Sequence, residues 1–305
     1  MKCTFKVSIV GCGSVGATAA YAMLLDGTPT DLALIDVNKD HARGLMTDLE
    51  HTQSFTSRTM LTAGNDMKLC QGSTVVFITA GARQKEGQTR LELIETNRQI
   101  FKTIIPQIAI AAPNAMLVIV SNPVDILTYD AIKLSKFPKG RVFGTGTMLD
   151  TIRFQFHIGE KWKVNPRSVE AYILGEHGDT SFTVFSAAEI AGKNVATFKS
   201  FKKKDLEQAY QTTRNAAYRI IHDLGYTCYS IGIVMREIMK HIYSNSRVVV
   251  PLSTRLNGEY GIKNVALSIP CVLGQNGIER TIEIPLDTTE KKHLKQSATV
   301  LKKLL

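Results

Sequence analysis

The stretch that most restricts the fold is "TFKVSIVGCGSVGATAAYAMLLDGTPTDLALID", residues 4–36. Its opening, "TFKVSIV", is β-branched and apolar and reads as a strand, while "GCGSVG" suits neither strand nor helix interior. "ATAAYAMLLDG" carries helical spacing, and "DLALID" is a second strand. Strand, glycine turn, helix and strand in this order form a βαβ unit, whose two strands run parallel. Further apolar strands at "STVVFITA" (73–80) and "AMLVIVS" (115–121) flank a long helix, "RLELIETNRQIFKTIIPQIAIAA", which Pro106 is expected to bend or divide. Short apolar strands alternating with helices predict an α/β fold, a Rossmann-type doubly wound parallel sheet covered on both faces.

The texture changes after about residue 145. A helix at "LDTIRFQFHIGEKW" is followed by a strand-like "SVEAYILG", a glycine-flanked "GEHGD", helices through "LEQAYQTTRNAAYRIIHDLG" and "YSIGIVMREIMKHIYS", hairpin-like strands over 246–284 and a last helix around "EKKHLKQSATVLKKLL". Strands and helices without strict alternation suggest an α+β second domain. The boundary falls near Phe143 to Thr147, giving a cofactor-binding domain over 1–144 and a substrate-binding, catalytic domain over 145–305. A chain of 305 residues, 44% apolar, has material for cores of that size.

The glycines point to the cofactor. Gly11, Gly13 and Gly16 stand in G-x-G-x-x-G register between a strand and a helix. Gly11 permits the tight turn, Gly13 lets backbone approach a pyrophosphate, and Gly16 lets the helix pack closely on the strand. Asp36, at the end of the second strand, would accept from both ribose hydroxyls and repel a 2′-phosphate, so NAD is favoured over NADP, although Lys39 is near.

Other classes fit less well. The apolar runs fall short of the roughly 18 to 20 residues that a membrane span requires, and no signal peptide or anchor is seen, so no membrane association is expected. Cys3, Cys12, Cys70, Cys228 and Cys271 are scattered and lack C-x-x-C spacing. Neither a disulfide framework nor a metal site is indicated, and a reducing, cytoplasmic setting is expected. The net charge of +10 raises the possibility of nucleic-acid binding, yet its densest run, "FKSFKKKD", is short and adjoins an amphipathic helix. A solvated basic face that gathers anionic small molecules is the expectation.

Two stretches carry candidate chemistry. His177 in "LGEHGD" lies between an apolar strand and two glycines, where it could project into a cleft and exchange a proton near neutrality, with Asp150 of "GTMLDTIRF" as a candidate orienting carboxylate. "AGARQKEGQTR", residues 80–90, buries almost nothing; it is either idle linker or closes over something polar and anionic.

Taken together, "GCGSVG", "LIDVN", "TAGARQKEGQTR", "SNPVDILT", "GTGTMLDTIRFQ", "YILGEHGDT", "LGYTCYSIG" and "GEYGIKNVALSIPCVLGQNGI" follow the order and approximate spacing seen in the lactate and malate dehydrogenases. The chain resembles the NAD-dependent L-lactate dehydrogenases over essentially its whole length. The resemblance implies that His177 is the acid/base and Asp150 its partner, and that Arg153, three residues on, grips the substrate carboxylate bidentately. It implies that Asn122 bonds the substrate oxygen near the nicotinamide, with Thr79 and Gly81 also at the cofactor. By the same resemblance "AGARQKEGQTR" is a lid hinged at Gly81 and Gly87 that brings Arg90 over the reacting carbonyl. Gln84 then selects the substrate, since relatives that reduce oxaloacetate carry arginine there, and Thr227 lines the same wall. Pyruvate and L-lactate are therefore the implied small-molecule substrates, ahead of malate or a bulkier 2-hydroxyacid.

The resemblance also bears on regulation and assembly. Bacterial members activated by fructose 1,6-bisphosphate have a basic pair where this chain has Gln155 and Glu170, so no such activation is expected. Few residues precede the first strand, so the long arm of vertebrate relatives is not expected, and a homo-oligomer, tetramer or dimer, is implied. Cys12 and Cys228 adjoin Gly11 and Thr227; each is either a thiol whose oxidation would inhibit or a small packed residue. The Asn122–Pro123 peptide is a candidate for the cis form.

Overall fold

A computed structural model of the chain describes residues 4–56, 58–82, 90–199 and 202–305, with only the backbone of 90 and 203. The first half runs β1 (Lys6–Val10), α1 (Ser14–Asp26), β2 (Asp31–Ile35), α2 (Lys39–His51), β3 (Met60–Gly64), β4 (Val75–Ile78), α3 (Arg90–Ala111), β5 (Met116–Ile119), α4 (Val124–Ser135) and β6 (Val142–Gly144). These strands lie in the order β3-β2-β1-β4-β5-β6 and all pair in parallel. The order reverses between β1 and β4, the point at which doubly wound sheets open a crevice beyond their strand ends.

Strand periodicity explains the two-sided burial. Val7 and Ile9 of β1, Val75 and Phe77 of β4, and Met116 and Val118 of β5 enter one core, with Met23 of α1. Their neighbours Val10, Val76, Ile78, Leu117 and Ile119 enter a second core, with Phe101, Ile105 and Ile108 of α3 and Leu127 and Ala131 of α4. Successive side chains point to opposite faces, so strands that read as unbroken apolar runs have a helix layer on each side. Pro106 lies inside α3 and does not divide it. It removes one helical hydrogen bond, and the buried residues on either side of it keep both halves of the helix on the sheet.

The second half runs α5 (Met148–Trp162), β7 (Val169–Glu170), β8 (Ile173–Leu174), β9 (Phe182–Thr183), β10 (Glu189–Ile190), β11 (Lys193–Asn194), α6 (Lys203–Leu224), α7 (Tyr229–Tyr243), β12 (Val248–Asn257), β13 (Lys263–Gly274), β14 (Gly277–Thr281) and α8 (Thr288–Lys302). "SVEAYILG" is two short strands, β7 and β8, in separate small sheets. The antiparallel β12, β13 and β14 extend the main sheet beyond β6 through the pairing of Ser253 with Gly144. The second half is thus joined to the first by a shared sheet as well as by chain connectivity. Among the described residues no helix is long and apolar enough to cross a membrane. Seven elements go unmarked in the sequence reading: α2, β3, α4, β6 and the two-residue strands β9, β10 and β11.

Candidate active site

The glycine turn after β1 is shaped by what surrounds it. Gly11 has φ 104°, and a Cβ there would come within 2.5 Å of Ala80 N, while one on Gly16 would meet Gly11 O at 2.0 Å. A Cβ on Gly13 would meet nothing within 4 Å. Gly11 and Gly16 therefore let α1, β1 and the end of β4 close together, and Gly13 leaves the outer side of the turn clear. Gly13 caps α1 without a side-chain hydrogen bond, so no capping side chain stands between the start of α1 and an anion. Asp36 stands beside this turn: its Oδ2 accepts from Cys12 N at 2.7 Å and its Oδ1 from Asn38 N at 2.9 Å. Each carboxylate oxygen has two acceptor positions, so one on each remains for a ribose hydroxyl. An open backbone cradle at a helix start with a carboxylate at its edge fits a dinucleotide.

Thr79 serves this cradle as an anchor, donating from Oγ1 to Gly11 O at 2.6 Å. His41, at the start of α2, places Nε2 3.0 Å from Cys12 O. Cys12 itself is fully buried, and burial, helped by the Asp36 charge, pushes its thiol up to about 12. It is the packed residue of the two readings open in the sequence, since a nucleophilic or easily oxidised cysteine requires thiolate. Cys228 is buried at the start of α7.

The second cluster gathers around His177, in the turn between β8 and β9. Its Nδ1 lies 2.7 Å from Oδ2 of Asp150 in the first turn of α5. One helical turn on, Arg153 brings Nη1 to 3.7 Å from Asp150 Oδ1. Three side chains that the sequence places in two segments therefore meet, with His177 29% and Arg153 13% exposed. Burial alone would lower the imidazole, but the charge and hydrogen bond of Asp150, aided by Asp125, lift His177 to about 9. For Asp150 burial works upward, and the His177 charge and hydrogen bond with the Arg153 charge take it below its ordinary value. An imidazole held by Nδ1 keeps Nε2 as the proton-exchanging atom.

Asp125, which lies inside the quoted "SNPVDILT" but was given no role there, is part of this cluster. It is 3% exposed, and its Oδ2 accepts from the backbone N–H of His177 at 2.7 Å while Oδ1 accepts from Ser253 of β12 at 2.6 Å. Burial raises its carboxyl to about 6 against the downward pull of these two bonds. Asn97, on α3, was missed as well. Fully enclosed, it accepts from Ala82 N at 2.7 Å and donates to Asn122 O at 2.7 Å, so it ties the end of β4, where Gly81 lies, to the motif that carries Asn122. The Asn122–Pro123 peptide is cis. Asn122 Oδ1 accepts from Val124 N at 3.3 Å, which leaves its amide N–H groups as donors. Thr227 is half-buried between α6 and α7. Gln84 and the rest of 83–89 lie outside the described residues, as does the side chain of Arg90, although its backbone opens α3.

The profile of the lactate/malate dehydrogenase NAD binding domain matches residues 5–144, and that of the lactate/malate dehydrogenase alpha/beta C-terminal domain matches 147–305. The chain is 44% identical over 309 aligned residues to an L-lactate dehydrogenase of Clostridium botulinum, covering 99% of this chain and 96% of that one. Among solved structures, MGS-M5, a lactate dehydrogenase from a Medee basin deep-sea metagenome library, superposes with a TM-score of 0.95 at 38% identity, over 99% of this chain and 98% of the other. A minor L-lactate dehydrogenase from Enterococcus mundtii does so with the same score and identity, over 99% and 97%. With both halves matched and its glycine cradle and His177–Asp150 pair in place, the chain belongs to the lactate/malate dehydrogenase family, NAD-dependent oxidoreductases.

Proposed function

We propose that the protein is an L-lactate dehydrogenase, interconverting pyruvate and L-lactate with NAD as cofactor. The observation that carries this reading is the convergence of His177, Asp150 and Arg153, which supplies a proton donor, its charge partner and a carboxylate receptor in one place. Residues 1–144 hold the cofactor through Gly11, Gly13, Gly16 and Asp36, and residues 145–305 supply the acid/base and the substrate grip. When bound, the nicotinamide supplies hydride in one direction and takes it in the other.

In the reducing direction, Arg153 pairs with the pyruvate carboxylate through two parallel hydrogen bonds. Asn122 donates to the ketone oxygen. His177, carried as imidazolium, gives its Nε2 proton to that oxygen as it becomes a hydroxyl, and Asp150 holds the ring throughout. Arg90 would polarise the C=O, and Gln84 with Thr227 would bound the substrate methyl; these three roles rest on the family resemblance. Exposed Tyr21 and Leu25 of α1, Ile152 and Phe156 of α5, and Tyr229 and Ile233 of α7 support assembly as a homodimer or homotetramer, because large exposed apolar groups commonly mark interfaces. A cytoplasmic, fermentative setting is part of the same reading.

The test is kcat/KM for pyruvate, oxaloacetate and 2-ketoisocaproate with NADH. A strong preference for pyruvate is expected. Preference for oxaloacetate would make the chain a malate dehydrogenase on the same chemistry, and no turnover with any of the three would sink the reading.

A further inference from the structure

The turn that carries His177 is held by an element outside all of the catalytic motifs, α8. Ser297 of that helix is fully buried. Its Oγ lies 2.6 Å from Thr180 O and 2.9 Å from Thr180 Oγ1, and it accepts from Glu176 N at 3.2 Å. Thr180 Oγ1 donates in turn to the Glu176 carboxylate at 2.5 Å. The bonds form a closed ring: Glu176 N–H to Ser297, Ser297 O–H to Thr180, Thr180 O–H to Glu176. Glu176 and Thr180 bracket His177, so the ring closes on the turn that presents the imidazole.

The same face of α8 touches this segment at two more points. The His293 ring packs against the Phe182 ring with centroids 5.8 Å apart. Glu290 accepts from Ser186 N at 3.0 Å and from Ser186 Oγ at 2.6 Å. Residues 290, 293 and 297 follow three-and-four spacing, so they lie along one helix face. Upstream, Gly175 exchanges backbone hydrogen bonds with Ser268 of β13 at 3.0 and 2.9 Å. Gly175 has φ 92°, and a Cβ on it would come within 2.6 Å of Ser297 Oγ, so the hydroxyl sits directly against the turn backbone. Two glycines, Gly175 and Gly178, give this turn freedom that something must remove.

We propose that Ser297 is a positioning residue for the His177 acid/base, its hydroxyl closing the 176–180 turn so that the C-terminal helix fixes where the imidazole stands. The proposal rests on His177 being the proton donor of the reaction. Small displacements of a reacting group are costly, about 1 Å being worth up to about a hundredfold in rate. A helix that served only to cover the core would set stability and leave rate alone.

The experiment compares Ser297→Ala and Ser297→Cys with the wild-type full chain. The Cys variant keeps the shape of serine with a somewhat larger atom that bonds only weakly, so it fills the site where alanine leaves a gap. Readouts are kcat and KM for pyruvate across pH, NADH Kd by fluorescence, and the titration of His177 by NMR of ring-labelled histidine, assigned with His177→Gln. Ser297→Ala is expected to lose about tenfold or more in kcat, with a shifted His177 titration and NADH Kd unchanged within about twofold. Ser297→Cys should move the same readouts in the same direction. Folded variants with lower Tm but wild-type kcat, pH profile and His177 titration would overturn the proposal; if the Ala variant does not fold, the Cys variant decides. A wild-type chain without pyruvate turnover would instead count against the function, and the His177 titration would still decide the role of Ser297.

Discussion

Nδ1 of His177 lies 2.7 Å from Asp150 Oδ2, and this contact sets the proton inventory of the site. With burial acting against it, the carboxylate charge still lifts His177 to about 9, so the donor is protonated throughout the neutral range. In pyruvate reduction kcat/KM should stay level until the pH nears 9 and fall above it, while lactate oxidation should rise over the same interval. Asp150→Asn should bring the alkaline limb down towards the ordinary histidine range and cut kcat/KM by about 10²–10⁴. A limb that stays at about 9 in this variant would assign the proton to another group. The sign for stability follows from the raised value: the contribution of His177 is full below 6.5 and is lost as pH rises through about 9. That of Asp150, whose folded value is lowered from 3.8, is present above 3.8 and lost as pH falls through the folded value.

Asp36 has two tasks that one substitution separates. It accepts from Cys12 N and Asn38 N, and its charge stands where a 2′-phosphate would arrive. Asp36→Asn leaves an amide oxygen for one backbone donor and removes the repulsion. The ratio of kcat/KM for NADPH to that for NADH should rise by about tenfold or more. An unchanged ratio would mean that the discrimination against phosphate comes from elsewhere.

The parallel sheet was legible because β4 and β5, buried on both faces, read as unbroken apolar runs, and β1 adds Val7, Ile9 and Val10 around a buried Ser8. The missed elements lack that signal for separate reasons. In α2, "KDHARGLMTDLEH", only Ala42 and Leu49 are buried, and β3 is an edge strand of mixed exposure. The opposite holds for α4, which is buried nearly all round and so shows no apolar stripe, and β6 is three residues long. His177, Asp150 and Arg153 were found through motifs, and the structure adds their contact. Asp125 was missed because an acidic residue in a helix's first turn is ordinary. Its significance depends on Ser253, 128 residues away, just as that of Ser297 depends on Glu176, 121 residues away. Pairings over such separations leave no local pattern.

Gln155 and Glu170 give an expectation for regulation. Gln155 spends its amide on Ala171 O at 3.2 Å, and Glu170 is exposed with Glu189 opposite it in the β7–β10 pair. A sugar bisphosphate here would meet two carboxylates and no cation at these positions. Fructose 1,6-bisphosphate should leave the pyruvate KM unchanged, and a fall of about tenfold, a coupling of about 1.4 kcal/mol, would refute this.

Gln84→Arg tests the substrate assignment without depending on the placement of 83–89. If the residue faces the substrate side chain, a cation there pairs the second carboxylate of oxaloacetate, which a neutral amide leaves unpaired in a closed site. The ratio of kcat/KM for oxaloacetate to that for pyruvate should rise by about two orders of magnitude or more. An unchanged ratio would move the selector to another residue, with Thr227 the next to vary.

Asp125 joins catalysis to stability, because one buried carboxylate accepts from the His177 backbone and from Ser253. Burial raises it from 3.8 to about 6, so the folded state holds this proton more tightly than the unfolded one. Its contribution to stability is therefore full below 3.8 and is lost as pH rises through about 6. Asp125→Asn removes this titration: the difference between wild-type and variant in urea unfolding should shift in the variant's favour from pH 4 towards pH 7. The amide still accepts from His177 N–H, and Ser253 can turn to accept from its N–H groups. Asp125→Ala leaves those donors without an acceptor, at about 1–3 kcal/mol for each buried group. Both variants also remove a negative charge that helps keep His177 protonated, so the alkaline limb of pyruvate reduction should move to lower pH, by less than in Asp150→Asn. A wild-type-minus-variant stability difference that is flat between pH 4 and 7 would place the raised titration on some other carboxyl.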